Sequence, residues 1–154
     1  PHEQVSVLEL AQEAARSLTA QAAAQAVHIS VTGTAGTVFG VRRLLYEIAR
    51  NLCENAVKYN VPGGSVTVEV AETDRDVTLL VRDTGIGIPE GDQSRVFERF
   101  YRVDKSHSRA IGGTGLGLSI VKHAVAYHHG TLRLESQPGK GTVITVTLPK
   151  EPTE

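Results

Sequence analysis

The chain has 154 residues, of which 40% are hydrophobic, and its 16 basic side chains nearly balance 17 acidic ones. This length suits one domain with its own core, and the balanced charge argues against nucleic-acid binding, which requires a clustered basic face. The single cysteine, Cys53, excludes an internal disulfide and a multi-cysteine metal site. Because no apolar run approaches the roughly 20 residues that cross a membrane and the N-terminus lacks a signal peptide, we expect a cytoplasmic domain without membrane contact.

The first 60 residues predict strands and helices in alternation. An Ala-rich stretch of good helix formers carries apolar residues at a spacing of four. A long apolar pattern later stops at Pro62, where Pro-Gly-Gly breaks a helix. The predicted elements are a strand at 4–8, a helix from Ser6 or Glu9 to about Gln25, a strand at 28–32, a short strand at Thr37–Gly40 and a helix at 41–59.

The remaining residues predict two strand pairs, a long loop and a third helix. The strand pairs alternate polar and apolar residues, as half-buried strands do. The predicted elements are a hairpin of Ser65–Glu72 with 76–82, a loop at 83–114 with one helical turn at 93–97, a helix at 115–128, and strands at 131–136 and 142–148. We therefore predict an α/β (α+β) two-layer sandwich, in which a mixed, largely antiparallel sheet of about five strands packs against three helices.

The long helix carries an apolar stripe and a polar stripe. At about 100° per residue, four apolar residues share one core-facing sector: Leu45, Ala49, Leu52 and Ala56. The adjoining sector holds Glu47, Asn51, Asn55, Lys58 and Tyr59. A solvated face is the alternative interpretation, but asparagine is a poor helix former that solvated faces seldom use. Amide oxygens suit Mg²⁺, a lysine balances phosphate charge and a tyrosine ring offers a base a flat surface, so the stripe favours a nucleotide–metal site.

The sequence RDTGIGIP places Asp83 where a predicted strand ends. Gly85 and Gly87 permit positive φ and the close approach of a ligand to the backbone. A carboxylate at this position is able to accept a hydrogen bond from an exocyclic amine such as adenine N6. An ordinary Asp-x-Gly turn is the alternative, and this block alone does not exclude it.

The sequence GGTGLGLSI, residues 112–120, leads from a glycine-rich loop directly into a helical pattern. Such a loop offers free backbone N–H groups and a helix dipole to an anion. It matches neither the Walker pattern nor the dinucleotide fingerprint. A flexible loop before a helix is the alternative, but it does not explain why Leu116 and Leu118 alternate with glycines.

Residues 96–102 alternate apolar side chains with arginines. The apolar members are Val96, Phe97, Phe100 and Tyr101, and the arginines are Arg99 and Arg102. A lid that docks through its aromatic rings and points arginines at phosphate has this pattern, and on this segment alone a short amphipathic surface helix explains it nearly as well. Three histidines, at 123, 128 and 129, end the third predicted helix, where cationic side chains complement the dipole; we do not interpret them as metal ligands.

In order and spacing, these blocks resemble the catalytic and ATP-binding domain of two-component sensor histidine kinases. Residues 51–59 resemble that family's N box, 83–89 its first glycine box, 96–100 its F box and 113–117 its second glycine box. The closing HGTLRLESQPGKGTVITVTLP resembles its C-terminal strands, so the resemblance covers nearly the whole chain, residues 1–154. It implies the fold shared with type II topoisomerase ATPase domains, mismatch-repair ATPases and heat-shock chaperones.

The resemblance also implies a role for each site residue, with ATP and Mg²⁺ as cofactors. Asn55 would hold Mg²⁺ with help from Asn51, Lys58 and Arg102 would contact phosphates, and Asp83 would recognise adenine N6. Residues 99–114 would form a mobile lid. The implied catalytic residues are Asn51, Asn55, Lys58 and Arg102. The implied nucleotide-binding residues are Asn51, Asn55, Lys58, Tyr59, Asp83, Gly85, Gly87, Ile88, Tyr101, Arg102, Gly113, Thr114, Gly115, Leu116, Gly117 and Leu118.

Asn51 separates the kinases from their hydrolytic relatives, which resemble this pattern but carry a water-activating glutamate there. An amide is no general base, so transfer to a protein acceptor fits better than rapid hydrolysis. Glu54 points about 60° away from Asn51 along the helix wheel, so Glu47 is the only plausible substitute base.

None of the six histidines lies in the His-Glu-x-x-Thr-Pro motif in which sensor kinases carry their phosphoacceptor. The chain also lacks methionine, so we interpret it as the catalytic part of a longer protein, monomeric as a fragment. The implied partners are the histidine-bearing dimerisation domain and, indirectly, a response regulator. Two alternatives stay open: a serine kinase of the anti-sigma-factor type and a non-catalytic interaction module governed by nucleotide.

Overall fold

The computed structural model describes residues 1–98 and 117–151, which form two sheets and a layer of helices. In chain order the elements are β1 (Glu3–Ser6), α1 (Val7–Ser17), α2 (Thr19–Ala24), β2 (His28–Gly33), β3 (Thr37–Gly40), α3 (Arg42–Lys58), β4 (Ser65–Glu72), β5 (Asp76–Asp83), a 3-10 turn (Glu90–Asp92), α4 (Gly117–Tyr127), β6 (Thr131–Gln137) and β7 (Gly141–Pro149). Within these residues, no helix has the length and apolar character needed to cross a membrane.

The main sheet has five described strands in the order β2-β4-β5-β7-β6. Only β2 and β4 run parallel, while the other neighbours are antiparallel. Every second residue of the central strands is buried, as at Val68, Leu79 and Val146. These side chains face the helix layer, in which α3 packs between α1 and α4. The predicted two-layer sandwich with a largely antiparallel sheet is confirmed.

The N-terminal elements differ from the prediction in two places. The Ser6 Oγ accepts a hydrogen bond of 3.3 Å from the Glu9 N–H and so caps α1, which turns residues 7 and 8 into helix rather than strand. The predicted first helix is also two helices, divided at Leu18. The Ser17 and Thr19 hydroxyls donate back to backbone carbonyls beside this break, which competes with helical hydrogen bonding.

The other boundaries shift by a few residues. The helical turn predicted at 93–97 lies earlier, as the 3-10 turn that follows Pro89, and further turns continue through residue 97. The fixed φ of proline suits the start of such a turn. The third predicted helix is described from Gly117 to Tyr127, so residues 115 and 116 lie outside the described residues.

His128 is a buried link between two helices, with 1% of its surface exposed. Its Nε2 accepts a 3.1 Å hydrogen bond from the Val41 N–H at the start of α3, so Nδ1 carries the proton and donates to the Ala124 carbonyl at 2.8 Å. Burial lowers the pKa of the ring. The prediction that this histidine is a cation complementing the helix dipole is therefore wrong, because its contact with Val41 requires the neutral ring.

We expect His128→Phe to lower the free energy of unfolding at pH 8 by about 1 to 3 kcal/mol, since it leaves the Val41 N–H buried without an acceptor. In the wild type the folded-state pKa of His128 lies below the unfolded value. Stability from the neutral ring is therefore complete above about pH 6.5 and is lost as pH falls below it. Urea unfolding at pH 5 and pH 8 measures both effects.

The matched control is His123→Phe, because His123 is exposed on α4, which ends directly before His128. Its change in unfolding free energy should stay within about 0.5 kcal/mol. If His128→Phe retains wild-type stability at pH 8, the link between α3 and α4 does not stabilise the domain.

Candidate functional site

The site is built on α3, whose two stripes lie as the sequence predicts. Its buried residues are Leu45, Ile48, Ala49, Leu52, Cys53, Ala56 and Val57. Asn51, Asn55 and Lys58 of the polar stripe are only partly buried. The Asn51 Nδ2 donates to the Glu47 carbonyl at 2.8 Å, which leaves its Oδ1 directed away from its own helix.

The beginning of α4 meets the two asparagines of α3. A Cβ placed on Gly117 would lie 3.1 Å from the Asn51 Oδ1 and 3.5 Å from the Asn55 Nδ2. The first described residue of α4 therefore contacts two amide side chains of α3. Leu118 packs against the core. Gly113, Thr114, Gly115 and Leu116 lie outside the described residues and remain predictions.

Asp83 is the last residue of β5, and the loop that follows it contacts Tyr59 at the end of α3. The Asp83 Oδ1 accepts hydrogen bonds from the Gly85 N–H at 2.9 Å and the Thr142 N–H at 3.2 Å. Within the described part of the chain, no donor bonds to its Oδ2. Burial raises the pKa of the carboxyl group to about 6, against the opposing effect of the two N–H donors. A partly buried acceptor with one oxygen unused among the described residues is suited to an uncharged N–H donor.

The loop after Asp83 is pressed against neighbouring backbone, which explains its glycines. A Cβ on Gly85 would lie 2.3 Å from the Tyr59 carbonyl oxygen, and the next residue, Ile86, donates its N–H to that oxygen at 3.0 Å. Gly87 has φ 75°, and a Cβ there would lie 2.2 Å from the Gln137 carbonyl oxygen. Both positions therefore require glycine for the protein's own packing. Tyr59 directly follows α3, so the loop after β5 packs against the C-terminal end of α3.

Sequence reasoning missed a polar cluster behind this loop. The Ser136 Oγ accepts a 2.8 Å hydrogen bond from the Ile88 N–H and lies 2.8 Å from the Thr142 Oγ1. The Gln93 Nε2 donates to the carbonyls of Ile88 and Ser136 at 2.9 and 3.1 Å. These bonds fix Ile88 against the sheet. Thr142 carried a signal, because it is the one polar residue on the inward face of β7, followed by Ile144 and Val146.

Ion pairs border the amide stripe of α3. The Glu54 carboxylate lies 3.7 Å from the Lys58 Nζ and 3.3 Å from the Arg50 guanidinium. Glu47 lies 3.5 Å from Arg43. Both glutamates beside the asparagines therefore have cationic partners, including Glu47, which we considered as a substitute base.

The structure brings some of the predicted site residues into contact. Asn51, Asn55 and Gly117 adjoin one another, and Tyr59 connects them to Gly85 and Asp83. Tyr101 and Arg102 lie outside the described residues. Within residues 1–98 and 117–151, no three His, Cys, Asp or Glu side chains are grouped to hold a metal ion. The amide oxygens of α3 nonetheless fit Mg²⁺, which takes one or two protein ligands and completes its shell with water and phosphate.

Known proteins resemble this chain in sequence and in fold. The family described as histidine kinase-, DNA gyrase B- and HSP90-like ATPase matches residues 40–152. The chain is 47% identical over 133 residues to the sensor-like histidine kinase SenX3 of Mycolicibacterium smegmatis, a match that covers 84% of this chain and 35% of SenX3. It therefore spans about a third of that relative.

Two solved structures show the same similarity. The mycobacterial sensor histidine kinase MprB has 33% sequence identity and a TM-score of 0.84, with 99% of this chain and 100% of that chain covered. Full-length ShkA in complex with AMPPNP has 26% identity and a TM-score of 0.82, with 96% of this chain and 31% of that chain covered.

The raised pKa of Asp83 predicts that this carboxylate costs stability at neutral pH. The folded pKa of about 6 exceeds the ordinary 3.8, so the folded state holds more protons between these values. The free energy of unfolding should then fall as pH rises from about 4 to about 6. We expect Asp83→Asn to raise it at pH 7.5 by about 1 to 3 kcal/mol, because the amide oxygen still accepts both N–H bonds. Urea unfolding without nucleotide, at pH 4.5 and pH 7.5, measures this.

Asp76→Asn is the matched control, since Asp76 begins the same strand and changes the charge equally. It should leave the difference between the two pH values unchanged. A loss of stability in Asp83→Asn at pH 7.5 would show that the ionised carboxylate holds the loop, contrary to our expectation.

Proposed function

Because the chain belongs to the histidine kinase-, DNA gyrase B- and HSP90-like ATPase family, we propose that it binds Mg-ATP and transfers the γ-phosphoryl group to a histidine on a separate dimerisation domain. One observation supports the proposal: the described start of α4 contacts Asn51 and Asn55, and the loop after Asp83 contacts Tyr59 at the end of the same α3. The complex of ShkA with AMPPNP supports a nucleotide site of the same kind in this chain.

The adenine ring belongs at the Asp83 end of the site. The Asp83 Oδ2 accepts a hydrogen bond from the N6 amine, while its Oδ1 stays bonded to the Gly85 and Thr142 N–H groups. Guanine presents a carbonyl oxygen at the corresponding position, so two acceptors would face each other. Tyr59, Gly85, Gly87 and Ile88 form the surrounding wall. This arrangement favours ATP over GTP.

The phosphates belong at the other end, between α3 and α4. Mg²⁺ bound to Asn55, with Asn51 beside it, would neutralise phosphate charge. Lys58 adds a cation, and Gly117, where the glycine-rich sequence enters α4, lies close to both amides. We assign Tyr101, Arg102, Gly113, Thr114, Gly115, Leu116 and Leu118 to the same nucleotide. Phosphoryl transfer depends mainly on positioning and on charge neutralisation, which this set of groups supplies.

Transfer to a protein acceptor agrees with the groups around Asn51. An amide is no general base, and the two nearby glutamates are held in ion pairs, Glu47 with Arg43 and Glu54 with Arg50 and Lys58. An incoming imidazole nitrogen is itself a nucleophile and does not need water activation. We place this domain in the cytoplasm as a monomeric unit that acts on the histidine-bearing domain of its kinase and, through it, on a response regulator.

Two substitutions test the phosphate end and the adenine end of the proposed site separately. We expect Asn55→Ala to weaken ATP binding at least about tenfold in Mg²⁺ and to abolish the gain in affinity that Mg²⁺ gives. Asp83→Asn should weaken ATP binding by a similar factor and remove the preference for ATP over GTP, because an amide is able to donate to the guanine carbonyl. Calorimetric titration with each nucleotide, with and without Mg²⁺, measures these effects.

Glu69→Gln, on the exposed face of β4, is the control and should bind ATP as the wild type does. Circular dichroism of each variant checks that the fold is intact. Unchanged ATP affinity in both Asn55→Ala and Asp83→Asn would refute the proposed site.

Transfer itself is tested by mixing this domain with γ-labelled ATP and the histidine-bearing domain of its parent kinase. We expect an acid-labile, alkali-stable label on that domain, as a phosphohistidine gives, and no label with Asn55→Ala. An acid-stable label would indicate a serine kinase instead. Nucleotide binding without any transfer would favour a non-catalytic interaction module.

A further inference from the structure

The three charged residues Arg50, Glu54 and Lys58 form a ladder along α3, each four residues after the last. One carboxylate oxygen of Glu54 lies 3.3 Å from Arg50, and the other lies 3.7 Å from Lys58. The side chains are 30%, 28% and 18% exposed, whereas Arg43 in the next pair along the helix is 77% exposed. The ladder is therefore partly shielded from water, where charges interact more strongly.

The ladder borders the side of α3 that faces the proposed phosphates. On the helix wheel, Lys58 lies about 20° and Glu54 about 60° from Asn51, and Arg50 lies further around on the same side. Glu54 also directly precedes Asn55. A carboxylate here repels the phosphates that the site is proposed to bind, so its presence requires an explanation. The structure supplies one, because Glu54 contacts the lysine assigned to those phosphates.

We propose that Glu54 is a positioning residue that holds Lys58 while the site is empty and releases it to a nucleotide phosphate. Arg50 balances the Glu54 charge after Lys58 leaves, which lowers the cost of the exchange. This inference rests on the proposed function, since it assumes that phosphates lie beside Lys58. It adds that the affinity for phosphate is set by competition within the ladder.

Competition predicts effects of opposite sign. Glu54→Gln removes the rival carboxylate and should tighten ADP binding about three- to fivefold, the scale of a partly exposed ion pair. Arg50→Gln leaves Lys58 as the only partner of Glu54 and should weaken ADP binding by a similar factor. In the double variant the loss disappears, because without the carboxylate Arg50 has no role in the exchange. Adenosine, which has no phosphate, should bind all variants equally.

The experiment titrates the wild type and these three variants with ADP and with adenosine in Mg²⁺ buffer, at low and at high salt. High salt should shrink the differences in ADP affinity, since screening weakens all the charges involved. Glu69→Gln serves as the control for a lost negative charge, because it lies on the exposed face of β4, whose buried residues point to the helix layer. Thermal unfolding of each variant reports any general loss of structure.

Three results overturn the inference. The first is that Glu54→Gln lowers the affinity for ADP or leaves it unchanged. The second is that the loss of ADP affinity caused by Arg50→Gln persists in the double variant. The third is that the affinities of the variants for adenosine change as much as their affinities for ADP. If the wild type binds adenosine and ADP while the ladder variants behave alike, only the inference fails. If the wild type binds neither ligand, the proposed function fails with it.

Discussion

The site depends on how α3 is buried. Its apolar stripe packs on the sheet and between α1 and α4, which fixes the rotation of the helix about its own axis. The polar stripe one step around that axis is then held at a defined angle to the rest of the domain. Asn51 and Asn55 therefore meet the start of α4, and Tyr59 meets the loop that follows Asp83. The packing of the apolar stripe in the core therefore sets the direction in which the two asparagines project from α3.

Two polar side chains at the edges of the core differ in how well the fold accommodates them. Asp83 keeps a carboxylate where burial raises its pKa, and two backbone N–H groups only partly offset that cost. His128, at the far end of α4, shows the opposite case, since its neutral ring is fully bonded and connects α4 to α3. The contrast distinguishes the two residues. His128 has all the partners it needs within the fold, whereas Asp83 has an oxygen for which the described residues provide none.

The periodic spacing of apolar residues predicted those helices and strands whose formation depends on local sequence. The α3 stripes, the hairpin of β4 and β5 and the strand pair β6–β7 follow from the spacing of apolar residues, and the order of the motifs predicted the family that the comparisons confirm. The errors arise where particular side-chain hydrogen bonds decide. The division of the first helix at Leu18 and the neutral state of His128 depend on hydrogen bonds that spacing does not reveal. The contact between Thr142 and Asp83 depends on the register of β5 and β7, which places the two residues opposite each other.

The distribution of charge along α3 connects the fold to the proposed chemistry. A hydrolase needs a free carboxylate beside the phosphates to activate water, yet both glutamates next to the asparagines, Glu47 and Glu54, lie beside cations. Both carboxylates are therefore engaged in ion pairs along the helix. The helix thus keeps negative charge near the proposed site and engages it with neighbouring cations. That arrangement agrees with the proposed transfer to an acceptor side chain.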